Sequence, residues 1–415
     1  MRIVIIGAGI IGATTAYYLS REGHAVTVVE RQLEPGMETS FANGGLVTPS
    51  MADPWAAPGV PMMILKGLGR EDAPFVLRPA AIPGMIGWGV RFLQNCKEKR
   101  WRENTAAIFK LASYSRDALD RLTAETGLAY DRFDGGTLRV YRTPEDFADA
   151  VQGAEIYRDL GVAYRTVDGA GAAALDPSLK PVQSQIAGAI YFSDDRSGDA
   201  FKFTQGIAGL AQRQGAVFRH GTAATGWDAA GDRIAAVITD KGRIDGDGFV
   251  LAGASYSPAL ARPLGLTLPV QPVKGYSATF PIAGWNNAPV MPVVDYSLKA
   301  AVTRLGDRIR VAGTAEFTGF DQRPNAARSA TLLTAFRALF PDYEPRGVEY
   351  WNGLRPMTPD GRPILGAPRH RNLWLNTGHG PLGWTLACGS ALVTAALIAG
   401  RQADIDERPF LLGRA

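Results

Sequence analysis

Residues 2–30 read RIVIIGAGIIGATTAYYLSREGHAVTVVE, and this stretch decides how the fold begins. The apolar run at 3–6 predicts a buried strand over 2–6, the period over 11–21 predicts a helix stopped by Gly23, and 25–29 predicts a second strand. Together they form a βαβ unit. Gly7-Ala8-Gly9-Ile10-Ile11-Gly12 is a GxGxxG that follows the first strand and opens the helix, and Glu30 closes the second strand, with Arg31 next. The glycines suit a tight turn, close backbone approach to a pyrophosphate, and close helix-to-strand packing, while the helix N-terminus offers N–H donors and positive dipole. A carboxylate at Glu30 suits free ribose hydroxyls, which favours FAD or NAD over NADP.

Three further glycine-bearing stretches lie far apart in the chain: Ser40-Phe41-Ala42-Asn43-Gly44-Gly45, Ala252-Gly253-Ala254 and Gly378-His379-Gly380-Pro381-Leu382-Gly383. Such spacing fits one long cofactor running past several segments. It points to FAD rather than to NAD held by one contiguous nucleotide domain.

The chain has 415 residues, 46% hydrophobic and 20% charged, which excludes a disordered or fibrous protein and predicts two or three structural units. A formal charge of +4 spread over that length is a weak argument for nucleic acid, and none is expected as a partner. Cys96 and Cys388 give neither a disulfide framework nor a metal-ligand spacing, so no metal and a reducing cytoplasmic compartment are expected. The short apolar run after Arg2 is too small for a signal-peptide core. Residues 381–400 carry no charge, yet their Gly, Ser and Thr content favours a buried helix over a membrane span.

Further along, residues 51–100 read as proline-rich coil with short helices. A helix is expected over 103–126 with Ile108, Leu111, Ser115, Ala118, Leu119 and Leu122 on one face. Hairpins are expected at Asp134-Gly135-Gly136, Asp240-Lys241-Gly242 and Leu305-Gly306-Asp307, and Thr143-Pro144-Glu145 should cap a helix. Residues 269–317 predict a second, mostly antiparallel sheet.

The stretches VIIGAGIIG, GHAVTVVER, ETSFANGG, PWAAPGVP, VKGYSATFPI, GLRPMTPDGRPILG and NLWLNTGHGPLGWT resemble the FAD-dependent D-amino acid dehydrogenases of the small-subunit type. These lie within the glycine oxidase and D-amino acid oxidase superfamily. The resemblance implies an α/β fold in which a Rossmann-like FAD-binding domain (1–50, 197–262, 350–415) is interleaved with an α+β substrate domain (51–196, 263–349) on a mostly antiparallel sheet. It also implies oxidative deamination: hydride passes from Cα of a D-amino acid to flavin N5, the imino acid hydrolyses to a 2-oxo acid and ammonia, and electrons pass to a quinone. The alternatives are oxidation of glycine, sarcosine, D-proline or hydroxy-D-proline on the same fold, and, more remotely, a non-catalytic FAD-bearing subunit.

By the same resemblance Arg355 clamps the substrate carboxylate, for which a guanidinium fork is suited. Tyr276 adds a hydroxyl to the carboxylate or amine, or is a packed strand tyrosine. His379 precedes a helix whose N-terminus faces the flavin, and either takes part in the chemistry or only shapes the backbone. Ser40, Asn43, Gly44, Gly45 and Leu46 wrap the pyrophosphate and ribityl chain, Ala252 and Gly253 approach the ADP half, and Ala224 holds adenine. Gly378, Gly380, Leu382, Gly383, Trp384 and Thr385 complete the flavin side. No cysteine falls near the GLRP stretch, so the FAD is expected to be noncovalent. Met51 and Leu46 replace a tyrosine and a glutamine of D-alanine-oxidising members, which opens the pocket to D-proline or its hydroxylated form.

Residues 54–102 hold eight basic residues, Lys66, Arg70, Arg78, Arg91, Lys97, Lys99, Arg100 and Arg102, against Glu71, Asp72 and Glu98. The same segment carries Trp55, Trp88, Trp101, Met62, Met63 and Phe92. Cations interleaved with apolar side chains fit a peripheral contact with the inner face of the cytoplasmic membrane; a solvated basic rim is the other reading.

Overall fold

The computed structural model describes every residue except Leu68, Asp72, Pro74 and Ala415, so the acid Asp72 and the proline Pro74 of the basic segment lie outside the described residues. The opening βαβ unit forms as expected: strand Arg2–Ile6, helix Ile10–Arg21 and strand Ala25–Val29, with Ile3 to Ile6 buried. Around it a six-stranded sheet runs in the order Ile364–Gly366, Leu373–Thr377, Gly248–Leu251, Arg2–Ile6, Ala25–Val29, Val217–Arg219. Its pairs are parallel apart from the antiparallel edge strand Ile364–Gly366. Three distant segments therefore build one nucleotide-type sheet.

One of its layers is the uncharged helix Gly383–Ile398, whose residues are buried among helix Ile10–Arg21 and helix Glu98–Thr126. Length and composition would let it cross a membrane, but its side chains pack on protein. Helix Glu98–Thr126 buries all six residues of its expected face. Ala118, Leu119 and Leu122 join the core under the six-stranded sheet, so part of 51–196 packs with the cofactor-side layer.

The second sheet has nine strands and is mostly antiparallel, in the order Glu349–Met357, Gln271–Pro281, Arg308–Phe317, Ala300–Leu305, Val293–Asp295, Thr137–Tyr141, Gly188–Phe192, Tyr164–Val167, with Phe75–Leu77 alongside Arg308–Phe317. Helix Ala326–Leu339 covers one face through Leu332, Phe336 and Leu339. Residues 350–357, expected on the cofactor-binding side of a break at 350, run inside this sheet, because Glu349–Met357 pairs along its length with Gln271–Pro281.

The hairpins at Asp240-Lys241-Gly242 and Leu305-Gly306-Asp307 form, and Thr143 caps helix Pro144–Asp159 by accepting the Asp146 N–H. Asp134-Gly135-Gly136 makes no hairpin. Phe133 bridges Ser197, and Thr137–Tyr141 pairs with Gly188–Phe192 and Val293–Asp295, so both flanks find partners from distant chain.

Candidate active site

Gly7 adopts φ +102°, where a β-carbon would also lie 2.7 Å from the Ala252 carbonyl oxygen. A β-carbon on Gly12 would collide with the Gly7 carbonyl. Only glycine fits either position, and the turn is thereby flattened against the strand that ends at Ala252. Gly9, Ile10 and Ile11 at the helix N-terminus face a cavity of about 410 Å³ between the two sheets, within the usual range for small-molecule sites. Behind the turn, the buried Glu30 carboxylate accepts the Ala8 N–H at 2.6 Å and the Gln32 N–H at 2.8 Å, and burial raises its pKa. Thr222 donates its N–H to the Glu30 carbonyl at 2.8 Å, which brings Ala224, at the start of the next strand, to this end of the site. Arg31 lies 3.7 Å over the Tyr256 ring and pairs with Glu38.

The loop at 40–45 is tied to both sheets. Ser40 Oγ accepts the Ile10 N–H at 3.1 Å, Thr303 donates its hydroxyl to the Gly44 carbonyl at 2.8 Å, and Arg310 donates to the Asn43 carbonyl at 3.1 Å. Asn43 turns its side chain inward to accept the Gly45 N–H, and Gly45 holds φ +80°. Ser40, Asn43, Gly44, Leu46, Ala252, Gly380, Leu382, Gly383, Trp384 and Thr385 line the cavity. Gly7, Ala8, Gly12, Glu30, Arg31, Gly45, Ala224, Gly253 and Gly378 stand behind or beyond that lining. Asn376 Oδ1 and Trp384 Nε1, on two lining residues, are buried without a partner among the described residues, as a wall shaped for a polar ligand requires. The turn, the pinned loop and these orphaned atoms fit FAD.

Arg355 enters from strand Glu349–Met357. Its side chain crosses Gly275, donates from Nη1 to the Thr314 carbonyl at 2.8 Å, and lies 5.7 Å from the Trp55 ring. Burial lowers its pKa to about 10, which leaves it charged at neutral pH. Among the described residues no carboxylate pairs with it, so its remaining N–H donors face the cavity for an anionic ligand.

Tyr276 sits where the strand touches the cavity, but its hydroxyl donates to Glu316, and its ring packs under helix Ala326–Leu339. Of the two readings of Tyr276 this is the packed strand tyrosine, and the hydroxyl is directed to Glu316 and not to the substrate. Arg355 passes over Gly275, and side-chain alternation sends the next residue, Tyr276, to the other face. Glu316 also holds Lys274 at 3.1 Å and Arg78, and against the raising effect of burial the hydrogen bonds from Tyr276, Arg78 and Lys274 keep its pKa below the usual range.

His379 lines the cavity, with Nε2 3.0 Å from Ser390 Oγ, and burial pushes its pKa down to about 3. It is neutral throughout the physiological range, which matches the backbone-shaping reading and not acid–base duty. The following turn, Gly380–Leu382, leads into helix Gly383–Ile398, whose first residues line the cavity with positive dipole toward it. Cys96 and Cys388 are buried with raised pKa values, and neither lines the cavity.

The sequence reading missed several lining residues: Asp53, Arg139, Thr314, Asn376 and Lys299. Trp55 was read as part of a surface patch, whereas it belongs to the cavity wall. Of these, Trp55 lay in the recognisable stretch PWAAPGVP and Asn376 in NLWLNTGHGPLGWT. Lys299 stands in the turn after Asp295 with no periodicity to mark it.

The FAD dependent oxidoreductase (DAO) family model matches residues 2–397. The chain belongs to this family. It is 46% identical over 415 residues to a D-amino acid dehydrogenase of Rhizorhabdus wittichii, covering 100% of both chains. It is 47% identical over 418 residues to a D-amino acid dehydrogenase of Methylobacterium radiotolerans, covering 100% of this chain and 99% of that one. Among solved structures it resembles glycine oxidase from Bacillus cereus, with TM-score 0.77 and 21% identity over 100% of this chain and 99% of the other. It also resembles L-proline dehydrogenase from P. horikoshii, with TM-score 0.76 and 19% identity over 97% and 94%. The shared fold is the interleaved α/β architecture, and the protein is an FAD-dependent oxidoreductase.

Proposed function

We propose that the enzyme is a D-amino acid dehydrogenase that converts D-amino acids to 2-oxo acids and ammonia and delivers the electrons to a quinone. The observation that carries this reading is Arg355: a cavity-facing guanidinium with no carboxylate partner, opposite the glycine turn. FAD, when bound noncovalently, supplies the hydride acceptor. Arg355 holds the substrate carboxylate by a charge-assisted fork and so fixes which Cα hydrogen faces across the cavity. Neutral His379 and its Ser390 partner hold the turn that starts helix Gly383–Ile398, and that N-terminus stabilises negative charge arising at the cavity edge. With no histidine available as a base, the reactive substrate is the fraction with a neutral amine. The test is flavin bleaching by D-amino acids under anaerobiosis, followed by competition between oxygen and a quinone analogue for the reduced enzyme.

Leu46 and Met51 both line the cavity, and this apolar lining favours a second reading on the same fold, oxidation of D-proline or hydroxy-D-proline.

For localisation we propose a peripheral position on the cytoplasmic membrane. Helix Val60–Lys66 buries no residue, and helix Ile82–Asn95 buries only Phe92 and Asn95. Ile82, Ile86, Val90 and Leu93 recur at helical spacing with Ile86 62%, Val90 50% and Leu93 53% exposed, beside exposed Met62 and Leu65. Lys66, Arg70, Arg91, Lys97, Lys99, Arg100 and Arg102 surround them, all exposed. The tryptophans are turned inward: Trp88 stacks on Phe92 and donates to the Met357 carbonyl, and Trp55 meets Phe75. Aliphatic side chains, not indoles, form the apolar area that would enter the lipid interface.

A further inference from the structure

Lys299 lines the same cavity as Arg355, and nothing in the established family assignment explains it. It is held at φ +53°, a conformation that costs a non-glycine residue and is kept where the surroundings enforce it. Its backbone adjoins the Arg355 anchor: Ala300 pairs with Gly313, and Thr314, next to Gly313, accepts the Arg355 hydrogen bond. One strand step, ~5 Å, therefore separates the two backbones. The Lys299 stem runs over Tyr296, with Nζ 3.3 Å from the ring centroid. Among the described residues no carboxylate lies within ion-pair distance of Nζ, and no hydrogen bond satisfies it.

The nearby carboxylates have other partners. Asp295 is paired with Arg142 at 2.7 Å, Asp53 accepts the Tyr157 hydroxyl at 2.5 Å, and Asp146 accepts from Ser297 at 3.3 Å. Arg139, a further cation on this wall, donates from Nη2 to the Ser50 carbonyl and hydroxyl, lies 4.5 Å over the Phe192 ring, and keeps a buried Nε without a partner among the described residues. Burial lowers the Lys299 pKa to about 8, as expected for an ammonium without a close counter-ion, and an anion arriving beside it would restore that loss. Lys299 is thus a partly desolvated cation with open donors, in the cavity where Arg355 holds the α-carboxylate.

We propose that Lys299 anchors the substrate side chain and that acidic D-amino acids, D-aspartate and D-glutamate, are a substrate class of this enzyme. The proposal rests on the dehydrogenase reading above. An α-carboxylate on Arg355 and a side-chain carboxylate on Lys299 would satisfy both cations with one ligand.

The test uses the FAD-loaded full chain and its Lys299→Met and Lys299→Arg variants; Met keeps the stem that packs on Tyr296. Two readouts are taken: kcat/KM for D-glutamate relative to D-alanine, and the dissociation constants of glutarate and butyrate from the flavin absorbance. Wild type should bind glutarate about tenfold tighter than butyrate, Lys299→Met should lose that preference and about tenfold of the D-glutamate to D-alanine ratio, and Lys299→Arg should restore most of both. An unchanged ratio in Lys299→Met, or bleaching by D-alanine but by no acidic D-amino acid, overturns the proposal. Failure of every D-amino acid to bleach would instead remove the dehydrogenase reading, and glutarate binding would still decide whether Lys299 is an anion anchor.

Discussion

The guanidinium of Arg355 lies across Gly275, so that a β-carbon on Gly275 would fall on it. This absence of a side chain on the neighbouring strand gives Arg355 a flat bed and directs its free donors into the cavity. A Gly275→Ala variant should displace the clamp without touching it chemically. KM for D-amino acids is expected to rise about tenfold or more, with bound FAD retained, as measured by steady-state kinetics on flavin-loaded protein.

Tyr276→Phe tests the orientation of the neighbouring residue. Glu316 keeps Lys274 and Arg78 after the change, so the expected cost is about 1 kcal/mol of stability, with kcat/KM within about threefold of wild type. A loss of about a hundredfold or more in kcat/KM would return the Tyr276 hydroxyl to the substrate.

His379 has a folded pKa near 3, below that of an unfolded histidine. The unfolded chain therefore binds the extra proton between about pH 6.5 and 3, and stability contributed by burying the neutral ring is present above that window and lost as pH falls through it. Unfolding titrations should show a slope of up to ~1.4 kcal/mol per pH unit there that His379→Gln removes. The same variant should leave the kcat/KM profile between about pH 6 and 9 without a shifted limb.

Ile86→Glu and Val90→Glu place charge on the exposed face of helix Ile82–Asn95 without disturbing a packed contact. Cosedimentation with anionic vesicles should fall about tenfold, flavin reduction by substrate should be unchanged, and wild-type binding should weaken with salt. Equal sedimentation of variant and wild type would leave the patch as a solvated rim.

What was legible in the sequence was local. The glycine turn, its strands and the cap at Thr143 are decided within a few residues, and Arg355 sits in a long motif. The order of the nine-stranded sheet was not legible, because Val293–Asp295 beside Thr137–Tyr141, or Phe75–Leu77 beside Arg308–Phe317, joins segments more than a hundred residues apart. The Asp134-Gly135-Gly136 turn was misread for that reason. Tyr276 shows a second limit: residue type marks a strand tyrosine, but register alone decides which face its hydroxyl serves. Lys299 became visible only when folding brought its turn beside the Arg355 anchor.

The most direct test of the central claim is the anaerobic absorbance of the purified, FAD-loaded protein mixed with D- and L-enantiomers of the same amino acids. The account expects the flavin band to bleach with D-amino acids and not with their L-counterparts, and Arg355→Ala to require far higher substrate for the same bleaching while keeping its FAD. A flavin that stays oxidised with every D-amino acid, D-proline included, or that bleaches equally with the L-forms, would contradict it.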